Sequence, residues 1–186
     1  MKPALDMRIL QNETAAVVID IQERLLPHIY DSEKILENCS KLIEGLHTLS
    51  VPVIVTQQYT KGLGPTEPSI VQKFSEFNYI EKTAFSCFDE PAFKEEISIS
   101  GKQNIILCGI ETHVCVLQTC LDLIDGGFRP VVVHDCISSR KQEDKIVAIE
   151  RMRQEGARIT TMESILFELT RRAGTETFKS ISRLVK

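Results

Sequence analysis

An acid, a cation and a thiol, Asp20, Lys82 and Cys115, each follow a run with strand character in this 186-residue chain. They lie 62 and 33 residues apart in sequence. Their chemistry is complementary. Cys115 falls in the first turn of an apolar helical pattern running from about His113 to Ile124. The orphan N–H groups and the dipole of a helix start favour a thiolate, which is a nucleophile. Lys82 would add positive charge and orient Asp20. Asp20 could accept the thiol proton, pass it to a leaving amine and later activate water. The backbone N–H groups of Glu111 and Cys115 are candidates for an oxyanion hole. Each residue also has an ordinary explanation: a buried cysteine at a helix start, an aspartate fixing a turn, a surface lysine. Pattern alone leaves both readings open.

The elements that must position these residues are legible as alternating runs. Ala15–Ile19, Pro52–Thr56, Asn104–Cys108 and Pro130–His134 read as strands, most of them buried on both faces; Asn78–Glu81 and Arg158–Thr161 read as shorter ones. Apolar residues at 35, 39, 42, 46 and 49 give helical spacing over Ser32–Leu49. Further helices are expected over Asp89–Ile97 with Asp89 as N-cap, from a Ser139-x-x-Gln142 capping box to Glu155, and over 163–173 and 175–184. This alternation predicts one parallel sheet covered on both faces, an α/β fold forming a single domain over 1–186. In such sheets ligands bind beyond the carboxyl ends of the strands, the edge at which the three residues emerge. A Gly/Pro-rich loop, Gln57–Pro68, runs along that edge and is expected to shape a pocket.

Bulk properties narrow the function. The chain is 42% apolar and 26% charged with a net charge of −4, ordinary for a globular protein, and its basic residues do not cluster. Nucleic acid binding is therefore not expected as the main activity. No apolar run approaches a membrane span, and Gln11, Asn12 and Glu13 interrupt any leader-like core, so neither membrane nor secretion is expected. Six cysteines without a Cys-x-x-Cys pair suit reduced thiols in a cytoplasmic protein rather than disulfides or zinc.

The segments Val17-Val18-Ile19-Asp20-Ile21-Gln22, Glu81-Lys82-Thr83-Ala84-Phe85-Ser86 and Gly109-Ile110-Glu111-Thr112-His113-Val114-Cys115-Val116 occur in an order and spacing that resembles the isochorismatase-like cysteine hydrolases. The superfamily includes nicotinamidases, N-carbamoylsarcosine amidases and isochorismatases. The chain looks most similar to its isochorismatase-domain-containing group of uncharacterised hydrolases. The resemblance implies an Asp20–Lys82–Cys115 triad. It implies a three-layer α-β-α fold whose six-stranded, mainly parallel sheet has the order 3-2-1-4-5-6, and a cis peptide between Ile110 and Glu111. It further implies a homo-oligomer. Nicotinamidases carry an Asp-x-His-type metal site after strand two, where this chain has Gln57-Gln58-Tyr59-Thr60-Lys61-Gly62; no metal and no cofactor are expected.

Gln22, Gln57, Tyr59, Phe85 and His113 are the expected pocket residues, and Asp135 is expected to fix the turn toward Ser138. The combined reading is a cysteine hydrolase cleaving a C–N bond in a small amide, ureide or related carbonyl compound through a thioester. One rival is an isochorismatase-type vinyl-ether hydrolase with Asp20 as acid. Another is a non-catalytic binding or assembly protein on the same fold.

Overall fold

The computed structural model describes residues 7–186, so residues 1–6 of the expected 1–186 domain lie outside the described residues. Six strands form the sheet: β1 (Thr14–Ile19), β2 (Val53–Gln58), β3 (Ile80–Lys82), β4 (Asn104–Ile110), β5 (Arg129–Ser138) and β6 (Arg158–Thr160). All neighbouring pairs are parallel, and the order is β3-β2-β1-β4-β5-β6, as expected. Eight α-helices accompany it among the described residues: α1 (Ser32–Thr48), α2 (Thr60–Leu63), α3 (Pro68–Val71), α4 (Pro91–Ser100), α5 (Leu117–Asp125), α6 (Gln142–Gln154), α7 (Met162–Thr170) and α8 (Glu176–Leu184).

The period-2 alternation of strand side chains divides the core into two layers. Ala16 and Val18 of β1 pack with Ile35, Leu42 and Leu46 of α1, Ile165 of α7 and Ile181 of α8. Ala15, Val17 and Ile19 face the other way, toward Phe93 of α4, Cys120 of α5 and Met152 of α6. Such two-sided burial explains why the strands read as continuous apolar runs rather than alternating ones.

Several boundaries differ from expectation. β5 extends four residues beyond His134, to Ser138. Its register with β4 shifts midway: Leu107 pairs with Val132, but Gly109 pairs with Ile137. Two steps of β4 thus match five of β5, and the extra residues loop out the polar pair His134-Asp135. Asp135 does not hold the turn toward Ser138. Its Oδ1 accepts the Met162 N–H at 2.8 Å, and its carbonyl accepts from Asn38 Nδ2. The expected capping box also fails. Lys141 is the N-cap of α6, without a side-chain cap, because the Ser139 hydroxyl is turned toward His113 instead. α4 likewise starts later than expected, with Glu90 rather than Asp89 at its N-cap and Pro91 in its first turn.

Candidate active site

Asp20 is the first residue after β1 and holds a left-handed φ of 54°. A non-glycine residue in that region is strained, and such strain collects at functional sites. Thr56 of β2 fixes the side chain: its Oγ1 donates to Asp20 Oδ1 at 2.8 Å. The other carboxylate oxygen, Oδ2, lies 2.7 Å from Lys82 Nζ. Lys82 ends β3, opposite Gln58 in the β2 register, and its side chain is fully buried.

An ammonium has three N–H bonds. Those of Lys82 are shared among Asp20 Oδ2 (2.7 Å), Gln58 Oε1 (2.6 Å), Phe85 O (3.0 Å) and Ala84 O (3.2 Å). Asp20 Oδ2 is thus held against the Lys82 ammonium at 2.7 Å, and the Cys115 thiol reaches the same carboxylate.

Cys115 supplies the neighbouring donor. β4 reaches it past Gly109, whose φ is 129°; a Cβ there would lie 2.1 Å from Ile19 O. Only glycine lets β4 pass β1 so closely just before both functional residues. Glu111 then turns the chain with a left-handed φ of 55°. The expected cis bond between Ile110 and Glu111 is absent: no peptide among the described residues is cis, and the left-handed Glu111 makes the turn instead. Thr112–Val116 is a π-helical turn leading into α5, closed by Val116 N–H to Glu111 O at 3.3 Å. Cys115 thus sits in the first turn of the helical segment, but on a widened turn of the kind often found at functional sites.

The thiol is 6% exposed, and burial raises its pKa well above the free value. The negative charge of Asp20 pushes the same way, Lys82 opposes it, and a hydrogen bond from the thiol to Asp20 adds to the rise. The expectation of a resting thiolate is therefore corrected. Lys82 is committed to Asp20, and desolvation wins over the helix start. At rest the group is a neutral thiol beside a carboxylate.

A cleft of about 930 Å³ opens over Asp20 and Cys115. Leu25, Leu63, Phe85, Ile110 and Val114 form its apolar walls. Arg24, Arg140, Lys141 and Glu111 bring charge to it, and Gln58 and His28 also line it.

Residues 14–164 match the isochorismatase domain. This chain belongs to the isochorismatase family. It is 38% identical over 180 residues to isochorismatase domain-containing protein 2A of Mus musculus, covering 96% of this chain and 85% of that protein. The MAR1 ribonuclease of Caenorhabditis elegans superimposes with a TM-score of 0.90 at 38% identity, over 96% of this chain and 92% of the other. The YcaC gene product of Escherichia coli, described as an octameric hydrolase of unknown specificity, superimposes with a TM-score of 0.89 at 26% identity, over 99% and 92%. Membership places the chain in a hydrolase superfamily with the sheet order described above.

Of the expected pocket residues of this isochorismatase-family chain, Phe85 lines the cleft and the other four do not. Gln22 is buried beneath it as a staple: its Nε2 donates to Gln58 O and Gly64 O, and its Oε1 accepts the Gln58 N–H. Tyr59 is half exposed, with its ring over Gly62. His113 turns away toward Ser139 Oγ (3.0 Å) and Glu111 Oε2 (3.3 Å). Gln57 points to the opposite face from Gln58, as strand alternation demands. Gln58 is the functional one of the pair, gripping Lys82 and lining the cleft.

Sequence reading also missed Thr56, Cys87 and the charged rim. Cys87 is fully buried within the electrostatic reach of Asp20, Lys82 and Cys115, and its thiol is pushed up to about 11, chiefly by burial. A cysteine five residues after Lys82 gave no periodic signal to mark it. No group of three or more His, Cys, Asp or Glu side chains among the described residues is arranged to hold a metal ion.

Proposed function

We propose that the protein is a cysteine hydrolase cleaving a C–N bond in a small amide, ureide or related carbonyl compound, with the acyl group carried on Cys115 as a thioester. The observation that carries this reading is the Asp20 carboxylate, paired with Lys82 at 2.7 Å, against the buried Cys115 thiol. That carboxylate is the proton acceptor when sulfur attacks.

In the proposed cycle, Cys115 Sγ bonds to the substrate carbonyl carbon while its proton passes to Asp20. The Glu111 and Cys115 backbone N–H groups receive the negative oxygen. The C–N bond breaks as Asp20 returns the proton to nitrogen, releasing ammonia or an amine. Water then gives a proton to Asp20 and its oxygen to the thioester carbonyl. Asp20 reprotonates the departing sulfur. One amide and one water become an acid and an amine, and the enzyme is restored. Lys82 keeps Asp20 in place throughout and spreads its charge.

No metal is assigned a step, since the Gln57–Gly62 segment supplies neither Asp nor His. A vinyl-ether hydrolase would need only an acid and would leave the thiol without a task. The same reading gives the protein a single domain, a reducing cytoplasmic setting for its six free cysteines, and a homo-oligomeric state like that of its octameric neighbour. Nucleic acid and membrane have no place in it, although the nematode neighbour bears the name of a ribonuclease.

The test is a panel of small amides and ureides, with ammonia or amine release followed alongside the intact protein mass. The expected result is turnover with a transient acyl adduct on Cys115. Full turnover by Cys115→Ala would overturn covalent catalysis. An unacylated, unreactive Cys115 would favour a binding or assembly role.

A further inference from the structure

We infer that the substrate carries a carboxylate, which the cleft receives on Arg24 and Lys141 at its mouth. The inference deepens the proposed amide hydrolysis and rests on it for the reacting group, though not for the anion subsite itself.

The charges around the cleft do not balance. Asp20 is paired with Lys82 at 2.7 Å, and Glu111 with Arg140 at 2.7 Å. The two carboxylates lining the cleft are thereby compensated. Arg24 and Lys141 also line it, and among the described residues neither has a carboxylate within ion-pair distance. Two uncompensated cations thus face one cavity, in a chain whose net charge is −4. A cleft with apolar walls and one sign of excess charge at its mouth concentrates the opposite sign.

Arg24 is also built into position, unlike a typical surface arginine. Its backbone N–H bonds Leu63 O at 3.2 Å, within a segment tied to the loop by the antiparallel bridge between Gln22 and Thr66. Its Nη1 donates to Gly62 O at 2.9 Å. Its aliphatic stem lies against Gly64, where a Cβ would sit 3.5 Å from Arg24 Cγ. One edge of the guanidinium is therefore spent on holding the side chain. The remaining N–H groups stay free for a planar anion, the partner whose geometry a guanidinium fits. Lys141, as N-cap residue of α6, has a fixed backbone position on the same cavity.

The buried end of the cleft takes a different group. Asp20 and Cys115 line that end, where an amide or ureido group would react. With about 930 Å³ available, the cavity has room for more than a reacting carbonyl. A short molecule with an amide or ureido group at one end and a carboxylate at the other satisfies both ends.

The anion subsite can be tested apart from the chemistry. Glutarate and its neutral diamide, glutaramide, would be titrated calorimetrically into Cys115→Ser protein. Glutarate is expected to bind at least about tenfold more tightly, in line with charge-assisted hydrogen bonds, and to weaken with added salt. Arg24→Gln should remove that preference, Arg24→Lys should retain part of it, and Lys141→Gln should reduce it. Equal binding of the two probes, or a preference unmoved by Arg24→Gln and Lys141→Gln, overturns the inference. Turnover of glutaramate and of butyramide by the unmodified enzyme then separates the two proposals. Hydrolysis of both at equal kcat/KM keeps the amidase reading and sinks the carboxylate. Glutarate binding without any amide turnover keeps the anion subsite and sinks the amidase. Preferential, Arg24-dependent binding of an RNA oligonucleotide over glutarate would replace the small carboxylate with a phosphodiester.

Discussion

Lys82 and Asp20 stand 2.7 Å apart in full burial, and Gln58 and two backbone carbonyls hold the same ammonium. The lysine supplies charge to the carboxylate and is itself fixed on several sides. Burial, with the Asp20 charge beside it, raises the pKa of the neighbouring thiol, and Lys82 only partly opposes this.

Asp20→Asn should separate acidity from activity. Removing the carboxylate charge and its hydrogen bond lowers the Cys115 pKa, since both raise it and Lys82 then acts alone. Alkylation by iodoacetamide, mapped to Cys115 across pH, should move to lower pH than in the unmodified protein. Turnover should fall at least about a hundredfold through loss of the proton acceptor. A Cys115 profile that stays put or moves up contradicts the assigned geometry.

Lys82→Met should destabilise strongly. It leaves a buried carboxylate without its counter-charge, at a cost of about 3–5 kcal/mol. Adding Asp20→Asn should recover part of that loss, which a urea denaturation cycle over the two single variants and the double variant measures. Additive losses would show that the pair is not coupled.

Stability should fall as pH rises above the neutral range. Cys87 and Cys120 are raised to about 11 and about 12 by burial, and Cys115 higher still. Above the unfolded thiol value of 9.0 the unfolded chain loses these protons while the folded chain keeps them. Stability is therefore full below that point and is lost as pH climbs toward the folded values. Lys82 adds a loss of the same sign from 10.5 upward: burial lowers its pKa, but attraction to Asp20, Cys87 and Cys115 outweighs this and raises it. Urea midpoints between pH 8 and 11 read the slope. Replacing Cys87 and Cys120 by Ala should flatten it, whatever cavity cost shifts the whole curve. A flat profile in the unmodified protein would contradict burial of the thiols.

Gly109→Ala should cost more than about 2 kcal/mol, since the strand would have to move off Ile19 and the residue would keep an unfavourable φ. Because β4 leads straight to Glu111 and Cys115, any folded Gly109→Ala protein should also lose turnover. Thermal melts together with rates give both readouts. Unchanged stability would mean that the β1–β4 approach is looser than described.

The fold was legible because its strands are buried on both faces. Runs such as Ala15–Ile19 and Ile105–Cys108 can serve only a covered parallel sheet, and helical spacing at residues 35, 39, 42 and 46 supplies the cover. Sequence also brought Asp20, Lys82 and Cys115 to one sheet edge, since each follows or ends a strand. Boundaries were less legible where one hydrogen bond decides them. Ser139 left its expected capping role for His113, and Asp135 left its expected turn for Met162.

Tertiary structure alone decided the protonation and the pocket. Whether Cys115 is a thiol or a thiolate depends on how much water remains around it and on what Lys82 already holds, and both are properties of packing. Gln58 rather than Gln57 grips Lys82 because a single residue of strand register reverses the face. Arg24 and Lys141 are 117 residues apart, carry no motif and meet only across the finished cleft. A chain can spell the order of its strands through local periodicity, but an electrostatic balance exists only between groups that folding has brought together.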